Sequence, residues 1–215
     1  MRLDHVVIAF HDLETAIADW ESRGFTVVRG GRHPGRTSHN ALVVFEDGAY
    51  VELIAWAQPG PGERWYNELM KHGEGLMDFA LLPHSVPRAI EEARARGLEL
   101  KGPIDGGRVR PDGKEVKWQT ARQHTFDIPF LCADITPRSL RVPEGEARRH
   151  ANGRKGIGKV SVAVHDLDAS VRRYESLLGE LERTADGGIR VGECVIELVR
   201  KDRARGEGPD AMELR

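Results

Sequence analysis

Long apolar runs are missing from this chain. Nothing approaches the roughly 18 consecutive apolar residues that a membrane-spanning helix needs. Val6-Val7-Ile8-Ala9-Phe10 is too short for the apolar core of a secretion signal and runs into charge at Asp12. Cysteine is scarce: Cys132 and Cys194 are the only two, each in an apolar, strand-like stretch. Buried free thiols are therefore expected rather than a disulfide, with a reducing, cytoplasmic setting. No C-x-x-C occurs, which removes structural zinc from the expectations. Neither sign of charge dominates, since 32 Lys and Arg against 34 Asp and Glu leave −2. That balance carries no nucleic-acid or membrane-surface footprint. The chain also lacks a G-x-S-x-G, a cysteine in a nucleophile motif and a Walker loop, and Gly156-Ile157-Gly158 lacks the third glycine of a dinucleotide fingerprint.

What the chain does have is repetition. Leu3-Asp4-His5-Val6-Val7-Ile8-Ala9-Phe10-His11-Asp12-Leu13 returns as Ile157-Gly158-Lys159-Val160-Ser161-Val162-Ala163-Val164-His165-Asp166-Leu167. Trp20-Glu21-Ser22 returns as Tyr174-Glu175-Ser176, and Val51-Glu52-Leu53-Ile54 as Ile196-Glu197-Leu198-Val199. A repeat of this kind defines the structural unit. In the first copy, residues 4–10 alternate as a strand, and Asp12 is placed to cap a helix with Leu13, Ala16, Ile17 and Trp20 on one face. Gly24 ends that helix, and strands are expected at 25–29, 40–45 and 49–56, which makes the unit βαβββ. A more divergent copy runs through 75–136, with residues 102–113 read as a hairpin loop. A polar, basic segment at 137–156 is expected to be a surface linker. The third unit occupies 157–200 and is partial or unpaired, and 201–215 is expected to be a frayed tail. With 215 residues, 40% apolar and 31% charged, there is material for one large domain or two small ones.

Consecutive βαβββ units with a His on the first strand and a Glu on the last resemble the vicinal oxygen chelate superfamily, which includes glyoxalase I, extradiol dioxygenases and bleomycin-resistance proteins. More narrowly, Gly30-Gly31-Arg32-His33-Pro34-Gly35, Asn40, Gly48-Ala49-Tyr50-Val51-Glu52-Leu53, Ile128-Pro129-Phe130 and His150-Ala151-Asn152-Gly153 are similar to the glyoxalase-like domain subgroup. The resemblance implies an α+β fold in which paired units curl eight strands into a half-barrel of mixed sheet, with helices on the convex side. The concave face would hold a divalent metal (Zn, Ni, Mn or Fe(II)) and a small substrate with two adjacent oxygens. Carried over, the ligand positions fall on His5, Glu52 and Asp78. The fourth falls on Phe130, which cannot bind a metal.

Strand parity agrees in part. His5 shares a face with Val7 and Ala9, Glu52 shares one with Tyr50 and Ile54, and Asp78 stands among apolar residues where a lone carboxylate is expensive. The three are either metal ligands or a hydrogen-bonded His–carboxylate cluster in a metal-free pocket. Glu52 or Asp78 is the expected proton carrier. His33, His39, Asn40, Tyr50, Phe130 and His150 are the expected substrate contacts. The third unit has Lys159 where His5 stands, so it builds no site alone; it either pads the domain or, as the favoured expectation, pairs with its copy in a homodimer. The leading expectation is a glyoxalase-like enzyme with metal-assisted lyase or isomerase chemistry on a small molecule. The alternative is a metal-free protein of the same fold that sequesters a small ligand.

Overall fold

The computed structural model describes residues 1–215. The chain begins with the apolar strand β1 (Arg2–Ala9), which ends where Asp12 turns it into a helix. The Asp12 carboxylate accepts the Thr15 amide at 2.7 Å and fixes the start of α1 (Leu13–Ser22), whose buried face is Leu13, Ala16, Ile17 and Trp20. The strands β2 (Val28–Arg32), β3 (Ser38–Val44) and β4 (Tyr50–Trp56) follow, then α2 (Arg64–His72). The second unit consists of β5 (Gly75–Leu82), α3 (Val86–Ala95), β6 (Lys101–Val109), β7 (Glu115–Arg122) and β8 (Phe130–Asp134), and a short α4 (Arg138–Arg141) closes it. The third consists of β9 (Ile157–Val164), α5 (Leu167–Leu178), β10 (Ile189–Val191), β11 (Cys194–Arg200) and β12 (Gly208–Leu214). Asp166 caps α5 as Asp12 caps α1, accepting from the Ala169 amide at 2.9 Å.

The expected half-barrel is closed. Eight strands run in the order β1-β4-β3-β2-β6-β7-β8-β5 and return to β1, which pairs parallel with β4 and antiparallel with β5. Closure rests on a single residue pair between β2 and β6, Arg32 with Val109. Gly31 permits it: its φ is +131°, and a Cβ there would sit 2.0 Å from the Val109 carbonyl oxygen.

Three other expectations are corrected. Residues 101–109 are a strand rather than the start of a loop. Gly106 there is a packing device, since a Cβ would lie 2.4 Å from Trp118 Nε1. The segment expected to be a surface linker carries α4, whose Arg141 is only 2% exposed. Nor is the C-terminal segment frayed. β12 pairs antiparallel with β9, with Met212 and Leu214 against the core and Glu213 held by Lys159 at 2.7 Å.

The third unit forms its own sheet, β10-β11-β9-β12, and packs on the barrel from outside. Tyr174 donates its hydroxyl to the Asp127 carbonyl at 2.7 Å, and Arg96 bonds the Ser176 and Leu177 carbonyls at the end of α5. One continuous core of 35 buried residues joins α1, α3, the outward faces of the barrel strands and the inner face of the third unit. Each fully buried Leu, Ile or Phe in it contributes about 1.5–3 kcal/mol. Cys132 and Cys194 are free and buried, and no helix is long and apolar enough to cross a membrane.

Candidate active site

Inside the barrel lies a cavity of about 610 Å³. β1 and β4 run side by side, so their alternating inward positions place His5 next to Tyr50 and Glu52. The His5 imidazole stacks on Tyr50 with 4.6 Å between centroids and an 11° interplanar angle, and meets the edge of Phe130 at 5.3 Å. Its Nδ1 lies 2.8 Å from Asp4 Oδ2. Because an ionised carboxylate only accepts, Nδ1 carries the proton, and Nε2 is the ring atom facing the cavity, 3.6 Å from Glu52 Oε2. The other oxygen of Glu52 accepts from Asn40 Nδ2 at 2.6 Å and lies 3.9 Å from His33 Nε2. His33 Nδ1 is 3.0 Å from the Ser38 hydroxyl, and burial lowers the histidine's pKa against the opposing pull of Glu52.

Asp4 is fully buried, and burial alone would raise its pKa. The guanidinium of Arg141, the hydrogen bond with His5 and the charge of Arg138 overcome that and hold it well below the usual carboxylate range. Arg141 reaches Asp4 Oδ2 at 2.7 Å, Asp134 Oδ1 at 2.5 Å and the Tyr50 hydroxyl at 2.8 Å; Arg138 reaches Asp4 Oδ1 at 2.7 Å. α4 thus seats across the end of the barrel where β1 and β4 begin and β8 ends. Arg108, itself buried, donates to the Arg141 carbonyl and leaves its Nε without a partner, as does Asn40 Oδ1. Arg122, Trp65 and Trp118 complete the wall.

The sequence profile described as "Glyoxalase-like domain" matches residues 3–178. The chain belongs to the glyoxalase-like domain family. Among solved structures, a hypothetical protein from Staphylococcus aureus is similar at 16% identity and a TM-score of 0.70, over 92% of this chain and 86% of that one. A xylose isomerase-like TIM barrel/4-hydroxyphenylpyruvate dioxygenase fusion protein is similar at 18% identity and a TM-score of 0.61, over 99% of this chain and 36% of that one. A Streptomyces coelicolor methylmalonyl-CoA epimerase variant is similar at 18% identity and a TM-score of 0.45, over 63% and 99%. At these identities the first two likenesses show the fold alone. No curated protein sequence matches the chain.

Of the residues expected in the site, this glyoxalase-like domain brings His5, His33, Asn40, Tyr50, Glu52 and Phe130 to one cavity. Three lie elsewhere. Asp78 is buried, but its oxygens accept from Trp65 Nε1 at 3.1 Å and from the Phe79 amide at 3.0 Å, and it does not line the cavity. His39 lies between Ser38 and Asn40 on the outward side of β3, where its charge acts on Asp12 and Glu14 near the start of α1. His150 packs on Phe25 and Phe45 and accepts the Thr26 amide at 3.0 Å, an anchor for the segment after α4.

The donor set does not fit the divalent ion implied by the superfamily. His5 and Glu52 face one another, but Asp78 is engaged elsewhere, and although His33 Nε2 lies 3.9 Å from Glu52, His5, His33 and Glu52 do not form a group arranged to hold a metal. Sequence reasoning missed Asp4, Arg108 and Arg141. The one local signal was Asp4 beside His5. Nothing local marked the arginines, which are brought in by the β6–β7 hairpin and α4.

Proposed function

We propose that the protein is a metal-independent proton-transfer enzyme of the lyase or isomerase type, acting on a small anionic substrate with a carbonyl or carboxylate next to an acidic C–H. The observation that carries this reading is the Asp4–His5 pair, with Nε2 turned into the barrel cavity beside Glu52. Nε2 takes the proton. Asp4 holds the ring in one tautomer and stabilises the imidazolium that forms. The imidazolium then gives its proton back to the substrate, directly or by way of Glu52, which is fixed by Asn40 and whose Oε2 lies 3.6 Å from Nε2. The guanidinium of Arg108, which lines the cavity, faces the negative charge that develops on the substrate oxygen. Asp78 has no part in this chemistry.

The test is loss of the C–H signal by proton NMR in D2O, over a panel of 2-oxo and 2-hydroxy acids. Exchange with at least one member, unaffected by EDTA and reduced about 10²–10⁴-fold in His5→Ala, is the expected result. A second reading is a ligand-sequestering protein, favoured by Phe130 at the fourth ligand position beside Trp65 and Trp118. It predicts thermal stabilisation by panel members with no exchange. One divalent ion per chain, lost in both His5→Ala and Glu52→Ala by elemental analysis, would overturn both readings.

A further inference from the structure

At the barrel end opposite α4, the cavity opens beneath the turn after β2, the Pro-Gly loop after β4 and the first residues of β6. Four cationic side chains surround this mouth: Arg36, Arg64, Lys101 and Arg122. Arg36, Ile104 and Arg122 line both the mouth and the inner cavity, so the two spaces adjoin. None of the four is ion-paired. Arg64 is fixed by bonds to the Gln123 and Thr125 carbonyls, each at 2.8 Å, and by stacking 3.4 Å over Phe126, and its Nε is buried without a partner. Arg122 Nε is likewise buried and unpartnered. Like charges crowd here: Arg64 and Arg36 both act to lower the pKa of Arg122, on top of its burial.

The single acid lining the mouth, Glu63, is already engaged. Its oxygens accept from Trp56 Nε1 at 2.9 Å and from the Thr37 amide at 3.4 Å. Asp78 acts on both Arg64 and Arg122 against this repulsion, and Glu68 acts on Arg64, but neither acid lines the mouth. Half-buried Arg64 and Arg122, each with an idle Nε and with exposed Arg36 and Lys101 beside them, make a cationic rim whose mutual repulsion a bound anion relieves.

We propose that the mouth is a phosphate-binding subsite, so that the substrate carries a phosphate ester or a comparable dianion at the end away from His5. A carboxylate would neutralise one of the four cations. A phosphate monoester brings close to two charges and three acceptor oxygens, which match guanidinium donors. The proposal rests on the cavity being the substrate site and adds what the far end of that substrate is.

The experiment is titration of the protein with inorganic phosphate, and separately with acetate, by calorimetry and ³¹P NMR, beside Arg36→Ala/Lys101→Ala and His5→Ala. Both mouth residues are exposed, so the double variant retains the fold, checked by its melting temperature. Phosphate binding that beats acetate, weakens about tenfold or more in the double variant and persists in His5→Ala is the expected result. Equal phosphate affinity in the double variant, equal binding of acetate, absence of phosphate binding, or its loss in His5→Ala would each overturn the subsite. Failure of C–H exchange in D2O removes the proton-transfer reading and leaves this titration unaffected.

Discussion

Both oxygens of Asp4 are taken up by guanidinium groups and an imidazole, so removing its charge leaves Arg141 buried with Asp134 as its only carboxylate partner. Asp4→Asn should lower stability by about 3–5 kcal/mol, read as a fall in the urea midpoint at unchanged slope. An unmoved midpoint would mean that the network is not structural. Asp78 behaves in the opposite way: burial, only partly offset by Arg64 and Arg122, raises its pKa from 3.8 to about 6. Between those values the folded chain binds the extra proton, so the contribution of Asp78 to stability is present at low pH and is lost as pH rises towards 6. The stability of the wild type relative to Asp78→Asn should therefore decline from pH 4 to pH 6.5, and a flat difference would contradict the raised value. Strand parity in the sequence was enough to place His5 and Glu52 on one surface. It failed for Asp78, because parity gives the face and not the neighbour, and Trp65 from α2 takes up that carboxylate.

At the scale of the element, both capping aspartates were legible, since an acid before a 3.6-residue apolar repeat has few other uses. Asp12→Ala should cost about 1 kcal/mol in thermal or urea denaturation by freeing the Thr15 amide. The same loss in a chain already lacking the Asp166 cap would show that the two helices contribute independently. The elements that escaped notice break the usual rules of composition. β6 holds three glycines and a proline and reads as loop, yet one of its glycines makes room for the Trp118 ring. β12 follows a charged, glycine-containing stretch and pairs only because β9 offers an open edge. α4 is a single turn between prolines, too short for periodicity to detect, and it carries the most deeply placed arginine of the site.

In the molecule as a whole, the repeat revealed three related units. It did not reveal that the third lies against the outside of the first two, sharing their core and leaving the cavity to them. Sequence similarity between units specifies the fold of each, whereas their arrangement depends on contacts such as Tyr174 to Asp127 that no repeat encodes. The circumference of the barrel is uneven: β3 and β4 are joined along seven residue pairs, β2 and β6 by one. A ring parts at its least-bonded joint, and the cavity is lined from both sides of this one, by His33 and Arg36 after β2 and by Ile104 to Arg108 of β6. If the wall parts at that joint, small molecules gain a second way in, a door that opens sideways between two strands and is separate from the mouth at the barrel end. A disulfide between Arg32→Cys and Val109→Cys should slow both ligand association and release by similar factors in stopped-flow measurements while leaving the dissociation constant nearly unchanged. Rates that ignore the bolt would place the entrance elsewhere. If the door is there, the breathing of a single backbone pair multiplies the occupancy time that the tightness of binding alone would give to any ligand using it.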